Sequence, residues 1–249
     1  MKIAVIGCGW LGLPLAKELV KNNNFVFGST TTINKFLELE TSSIHPFEYD
    51  GIVNKLIPVA IKESDCIIIN FPPSKSHDYP AQIEELIRQF SDNCKIIFTS
   101  STSVYQEIVT TVTENGLCKE DHKVFLAEEK IRNSNKTFTI LRLAGLIGPN
   151  RHPIKFLTGK IIDHGNMVVN LVHQHDVIAA ILKVLEQNAW NKTYNICWNE
   201  HPKKAKYYLN AAEKVGIKPP VFKNSNLQGK TINGNLIVHE LDFQYKHSI

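Results

Sequence analysis

Short apolar runs of strand length alternate with amphipathic stretches along the first 150 residues. Lys2-Ile3-Ala4-Val5-Ile6 is an apolar run closed by Gly7, and Leu11, Leu15, Leu19 and Val20 then recur at helical spacing. Phe25-Val26-Phe27-Gly28, Cys66-Ile67-Ile68-Ile69-Asn70, Lys95-Ile96-Ile97-Phe98-Thr99 and Thr137-Phe138-Thr139-Ile140-Leu141-Arg142 are further candidate strands. Between them, residues 79–90 carry Ile83, Leu86, Ile87 and Phe90 on one helical face, residues 120–133 read as a further helix, and a weaker helical pattern covers residues 53–61. Strands alternating with helices predict a Rossmann-type α/β fold, a doubly wound parallel sheet of about seven strands. Past Gly148-Pro149 the pattern changes. Residues 151–172 read as irregular, 176–186 as a helix, 193–197 as a strand and 203–215 as a helix that Lys218-Pro219-Pro220 ends.

The first strand-to-helix turn carries chemistry. Gly7-Cys8-Gly9-Trp10-Leu11-Gly12 spells G-x-G-x-x-G directly after a strand and before a helix, the context in which this spacing binds a dinucleotide. Gly7 permits the tight turn, Gly9 lets a pyrophosphate approach the backbone, and Gly12 lets the helix pack on its strand. The opening helix supplies unpaired N–H groups to the anion. Pro14 falls near the first turn, where a missing donor costs little. Residues 1–150 are therefore predicted as the dinucleotide-binding part and 151–249 as a small substrate-facing part, with 165–197 partly returning to the core sheet.

The second strand ends in Ser29-Thr30-Thr31-Thr32, where NAD sites usually hold a carboxylate about 20 residues past the glycines. Without a carboxylate to repel a 2′-phosphate, NADP is favoured over NAD, although no arginine stands there to clamp it.

Composition narrows the setting. The chain has 28 Lys and Arg against 24 Asp and Glu and no basic cluster interleaved with aromatics, so nucleic acid is not expected as a partner. Cys8, Cys66, Cys94, Cys118 and Cys197 are odd in number and never form C-x-x-C, which predicts free thiols in a reducing compartment. With no apolar run approaching ~18 residues and a strand at the N-terminus, a cytoplasmic protein without membrane contact is expected. His173 and His175 would share a strand face, but sequence identifies no third ligand, and no metal is predicted. Oligomeric state is not addressed by any of these signals.

Phe98-Thr99-Ser100-Ser101-Thr102-Ser103-Val104-Tyr105 places hydroxyls at the carboxyl end of a strand, where open α/β sheets bind ligands. With this motif, the glycine loop, Leu141-Arg142-Leu143-Ala144-Gly145-Leu146-Ile147-Gly148-Pro149-Asn150-Arg151 and Asn170-Leu171-Val172-His173-Gln174-His175-Asp176-Val177, the chain resembles the short-chain dehydrogenase/reductase superfamily. The likeness is to its extended, nucleotide-sugar epimerase/dehydratase type, and the order of the motifs matches over nearly the whole chain. It implies that Ser101 bonds the reacting oxygen and that Asn70-Phe71-Pro72-Pro73 lines the cofactor cleft beside Ser100. Asp50 would correspond to the acid beside the adenine, and the short helix near residues 236–243 to the family's cover over the substrate cleft. Arg142, Asn170, Arg151, His173 and Asp176 fall in cleft-shaping segments, with an internal salt bridge or cap the competing role for Arg142 and Asp176.

One family feature is missing. No tyrosine is followed four residues later by lysine, and the family register puts Glu120 and Val124 where that proton-transfer pair belongs. The pattern resembles the atypical short-chain dehydrogenases. The enzyme reading is an NAD(P)-dependent oxidoreductase or epimerase/dehydratase-like protein on a small substrate, sugar derivatives included, with His122 and Tyr105 as candidate proton carriers. The alternative is a non-catalytic NADP-binding sensor or regulatory protein. Residues 9–16 also resemble the opening of the nucleotide-sugar 6-dehydrogenases, whose second domain with its catalytic cysteine has no room in this chain.

Overall fold

The computed structural model describes residues 1–51, 56–73, 78–223 and 229–249. Seven parallel strands form its central sheet: β1 (Lys2–Ile6), β2 (Phe25–Thr30), β3 (His45–Glu48), β4 (Cys66–Ile69), β5 (Lys95–Ser101), β6 (Phe138–Leu143) and β7 (Lys192–Ile196). They lie side by side in the order β7-β6-β5-β4-β1-β2-β3. The order reverses between β1 and β4, paired in register from Ile3 opposite Cys66 to Ile6 opposite Ile69. In an open parallel sheet, ligands bind beyond the carboxyl ends of the strands at such a reversal. Gly7, Asn70 and Thr102 leave the ends of β1, β4 and β5 there.

The apolar runs become central strands because both faces of the sheet are covered. Ile3 to Ile6, Cys66 to Ile69 and Ile96 to Phe98 have no exposed surface at all, as a strand buried on both faces requires. The helices are α1 (Gly12–Lys21), α2 (Phe36–Glu40), α3 (Val59–Lys62), α4 (Tyr79–Arg88), α5 (Lys123–Arg132), α6 (Gln174–Glu186), α7 (Lys204–Val215) and α8 (Asn235–Leu241). Two pairs cover the sheet, α1 packed beside α6 and α4 beside α5. Leu15, Ala16 and Leu19 form the inner stripe of α1, while Asp78 caps α4 by accepting from the Ala81 N–H at 3.0 Å.

After β6 the chain leaves the sheet and returns to it. Gly145–Ile147 pairs with Leu171–His173, Thr111–Val112 with Thr231–Ile232, and Ile161–Ile162 with Val221–Phe222. A second, smaller apolar cluster of Ile147, Ile154, Val169, Leu171, Tyr207, Tyr208 and Ala212 holds this part together. β7 then pairs with β6 from Lys192 opposite Thr139 to Ile196 opposite Leu143.

Three expectations change. The weak helix expected over residues 53–61 begins only at Val59, and residues 53–55 lie outside the described residues. The stretch 151–172 is not wholly irregular, since a 3-10 turn over Pro153–Phe156 and the strand Leu171–His173 fall within it. The closing helix α8 does not cover the cleft: it packs on the edge strand β7, where Tyr194 donates to Glu240 at 2.8 Å and Lys192 pairs with the same carboxylate at 3.0 Å. Among the described residues, no helix is long and apolar enough to cross a membrane.

Candidate functional site

A cleft of about 470 Å³ opens at the sheet reversal, lined by the glycine loop, by Asn70 to Pro73, by Thr99 to Ser101, and by Val124, Leu146 and Arg151. The three glycines of the loop have different surroundings. Gly7 has φ of +104°, which favours glycine, and a Cβ there would lie 2.8 Å from the Asn70 carbonyl oxygen. A Cβ on Gly12 would lie 2.1 Å from the Gly7 carbonyl oxygen, so only glycine fits where the helix meets the strand. A Cβ on Gly9 would meet nothing within 4 Å. No side chain caps α1, and in its first turn the Leu13 N–H donates to the Gly9 carbonyl at 3.0 Å while Pro14 has no N–H, so Gly12 and the loop before it carry the donors that face this open space.

The loop is fixed from several sides. Ser29 Oγ accepts from the Gly7 N–H at 2.8 Å, and the Ser29 carbonyl accepts from the Cys8 N–H at the same distance. Asn70 Nδ2 donates to the Gly7 carbonyl at 3.3 Å, and Trp10 Nε1 donates to the Pro149 carbonyl at 3.0 Å. Gln174, at the start of α6, donates from Nε2 to the Trp10 carbonyl. The Arg151 guanidinium lies 4.8 Å from the centre of the Trp10 ring, a cation–π contact at the cleft mouth. Cys8 is buried, and burial pushes its thiol up to about 12, so it fills space as a neutral group.

The hydroxyls expected to meet the adenosine end divide. Ser29 is internal to the loop as described, and the buried Thr30 accepts from the Thr32 N–H at 3.4 Å. Thr31 and Lys35 are exposed beyond β2, and the charge of Lys35 reaches as far as Cys8, opposing the rise of its pKa. Asp50 is exposed just past β3 and Tyr49. On the other wall, Phe71 packs edge-on against Tyr49 and Tyr79, and the Tyr79 hydroxyl donates to the Phe71 carbonyl at 2.8 Å, setting the turn that carries Pro72 and Pro73.

At the end of β5 the structure joins Ser101 to His122. Ser101 Oγ accepts from the Ser103 hydroxyl at 2.9 Å and from the Ser103 N–H at 3.1 Å, and Ser103 Oγ lies 3.2 Å from His122 Nε2. His122 caps α5 with Nδ1, which accepts from the Val124 N–H at 3.2 Å. With Nδ1 occupied as an acceptor, the neutral ring carries its proton on Nε2 and donates to Ser103. Ser103 in turn donates to Ser101, whose own O–H is left as the donor for a ligand. Burial, with Lys119 adding repulsion, lowers the His122 pKa and keeps the ring neutral.

Tyr105 takes no part in this string. It is fully buried, its hydroxyl donates to Asn195 Oδ1 at 2.7 Å, and its ring lies under the Arg142 guanidinium at 4.8 Å. Burial pushes its phenol up to about 12, so it holds its proton near neutrality, and its hydroxyl is engaged with Asn195 inside the core. Ser100 is also turned inward, donating to Glu128 Oε1. Glu128 has no exposed surface and receives Arg142 through Nε at 3.0 Å and Nη2 at 2.6 Å, so Arg142 is an internal salt-bridge partner. Asn170 is likewise structural, donating to the Lys230 carbonyl and accepting from the Ile232 N–H, both at 2.9 Å. Val124, on the inner face of α5, lines the cleft with an apolar side chain.

Glu128, Ser103, Gln174 and Lys35 were not picked out from the sequence. Glu128 had a signal: it shares one inner face of α5 with Val124, Ala127 and Ile131, and a carboxylate on a buried face needs a cation. A recess of about 690 Å³ lies elsewhere, lined by Asn24, Ala179, Lys183, Asp242 and Lys246 among others, and holds none of these residues.

Comparison with known proteins fits this arrangement. Protein YeeZ of Escherichia coli (strain K12) is 35% identical over 263 aligned positions, covering 99% of this chain and 96% of that protein. The chain belongs to the YeeZ family. Protein YeeZ of Escherichia coli O157:H7 matches to the same extent. No protein-family model matches the chain. Among solved structures, the UDP-glucuronic acid 4-epimerase of Bacillus cereus in complex with NAD superposes with a TM-score of 0.80 at 19% identity, over 100% of this chain and 94% of that one. The UDP-N-acetylglucosamine 4-epimerase from Bacillus cereus gives a TM-score of 0.76 at 18% identity, over 99% and 94% of the two chains. A functionally unknown conserved protein from Silicibacter pomeroyi DSS gives 0.79 at 20% identity, over 99% and 94%. At these identities the likeness establishes the Rossmann-type fold shared with the epimerases. For the YeeZ family it leaves the chemistry to be read from the cleft.

Proposed function

We propose that this YeeZ-family protein is an atypical short-chain dehydrogenase/reductase that binds NADP or NAD along the glycine loop and acts on a small, sugar-derived substrate in the cytoplasm. The observation that carries the reading is the open space at Gly9 together with a Ser101 Oγ that accepts from both the N–H and the hydroxyl of Ser103, which leaves its own O–H to donate. The pyrophosphate would sit on the first turn of α1, the nicotinamide toward Asn70 and Ser101, and the adenosine end toward Thr31, Lys35 and Asp50. Once bound, the cofactor supplies or accepts hydride. The chain's own part is to hold a substrate oxygen on Ser101 and to stabilise charge on it through the donors lined up behind, Ser103 and then His122. This arrangement needs no tyrosine. The five free thiols agree with a reducing compartment.

Turnover should be sought with NADPH and NADH against a panel of UDP-sugars and small carbonyl compounds, following nicotinamide absorbance. Ser101→Ala is expected to lower turnover by roughly 10²–10³-fold, the loss of one oxyanion donor, with cofactor affinity unchanged. His122→Ala removes only the donor at the end of the string and should reduce turnover less. Equal turnover by Ser101→Ala and wild type would refute this role.

The sensor reading has an observation of its own: Val124 lines the cleft in the lysine register, and Tyr105 is locked to Asn195. Tight cofactor binding without turnover of any member of the panel would favour it. For cofactor choice, Lys35→Glu is expected to weaken NADPH by roughly tenfold, about 1.4 kcal/mol, and to leave NADH unchanged. Equal effects on both would argue against a 2′-phosphate beside Lys35.

A further inference from the structure

The strand Leu171–His173 runs into α6, and the C-terminal tail returns to that junction. Asp176, in the first turn of α6, is buried and accepts from the N–H groups of Lys246 at 3.0 Å and His247 at 3.1 Å. This capture brings His247 to His173 and His175, the pair for which the sequence offers no third partner. The rings of His173 and His247 stack with centroids 4.6 Å apart, and His175 stands edge-on to both at 4.9 and 5.0 Å. One ligating atom from each of the three lies within 4.8 Å of the other two. Behind them, His247 Nδ1 lies 2.8 Å from Asp176 Oδ1, which places its proton on Nδ1 and turns the Nε2 lone pair outward.

We infer that His173, His175 and His247 form a binding site for one divalent transition-metal ion of the zinc class, with Asp176 as the carboxylate that orients His247. Three imidazoles select zinc and its neighbours over magnesium or calcium, which take oxygen ligands. A metal-bound histidine that gives its other N–H to a carboxylate is the usual outer arrangement of such sites. Zinc at about 2.0–2.1 Å from each nitrogen sets tetrahedral ligands about 3.4 Å apart, so the donors must draw in by roughly 1.4 Å, within reach of side-chain rotation.

One bond changes on loading. His173 Nδ1 accepts from the His175 N–H at 3.2 Å, whereas a metal on Nε2 requires the proton on Nδ1, so this cap is exchanged for the ion. The fourth position is left to water, because His175 is exposed and the His247 side chain is 40% exposed. The ion ties the tail to the start of α6, one residue from Gln174, which holds Trp10 of the glycine loop. The site depends on none of the cofactor contacts and stands apart from the proposed reaction.

The test uses the full-length protein, stripped with a chelator and titrated with zinc chloride by calorimetry. One ion per chain is expected, with a rise in Tm. His175→Ala and His247→Ala should each lose both effects while matching the circular dichroism of the metal-free wild type. Asp176→Asn should weaken binding by roughly 10–100-fold. Cobalt(II) should give visible bands of a four-coordinate site without thiolate charge transfer, which separates it from the cysteines. Zinc binding by His175→Ala and His247→Ala equal to that of the wild type, or a thiolate signature, would overturn the inference.

Discussion

Glu128→Ala is expected to destabilise the protein by about 3–5 kcal/mol, the cost of leaving a buried charge without its partner. Arg142 is nearly as buried as Glu128, and with the carboxylate gone its guanidinium keeps, among the described residues, the Glu114 carbonyl at 3.1 Å and the face of Tyr105. Ser100 loses its acceptor in the same change, and so does Arg132 at 3.4 Å, although Arg132 retains Thr193 at 2.8 Å. In a chain of this size each kcal/mol moves Tm by about 2–4 °C, so a fall of roughly 6–20 °C should be seen by calorimetry or circular dichroism. The damage should extend to the cleft, because β5 carries Ser100 and Ser101 together. A variant within about 1 kcal/mol of wild type in urea unfolding would mean that the network does not hold the end of β5.

Glu128 also marks where sequence reading stops. Strands β1, β4 and β5 were legible because burial on both faces forces every position to be apolar, and such runs stand out. β3 was not. His45–Glu48 is an edge strand with a polar residue at each end and only Phe47 fully turned inward, so neither periodicity nor an apolar run marked it. The glycine loop could be read because Gly7 and Gly12 answer to constraints a few residues away, the turn and the strand. The Ser101, Ser103 and His122 string could be read only in part. His122 lies 19 residues from Ser103, and its ring is placed by capping α5, a contact that no spacing rule announces.

Tyr105 is placed by a contact still more distant in sequence. A tyrosine beside a hydroxyl-rich loop suggested chemistry, but the chain turns its ring into the core, 90 positions in sequence from its partner Asn195. At the end of β2, Ser29 supports the glycine loop from beneath, while Thr31 and Lys35 are exposed past the strand end. The three histidines lay furthest out of reach, since His247 joins the other two only through the capture of the tail by Asp176, 71 positions away.

Two substitutions in the G-x-G-x-x-G turn separate a ligand site from a merely tight corner. Gly12→Ala puts a carbon into the Gly7 carbonyl and is expected to damage folding. Gly9→Val places its Cβ in the open space where the pyrophosphate would lie, with nothing within 4 Å, and is expected to fold and melt like the wild type. Its binding should nevertheless fall by on the order of 100-fold or more, about 2.7 kcal/mol, since the backbone can no longer approach the phosphates. The decisive measurement is a titration of NADPH and NADH into wild type and Gly9→Val at matched Tm. Saturable binding by the wild type that is lost in Gly9→Val is the predicted result, and equal affinity in the two proteins, or no binding by either, would contradict the account.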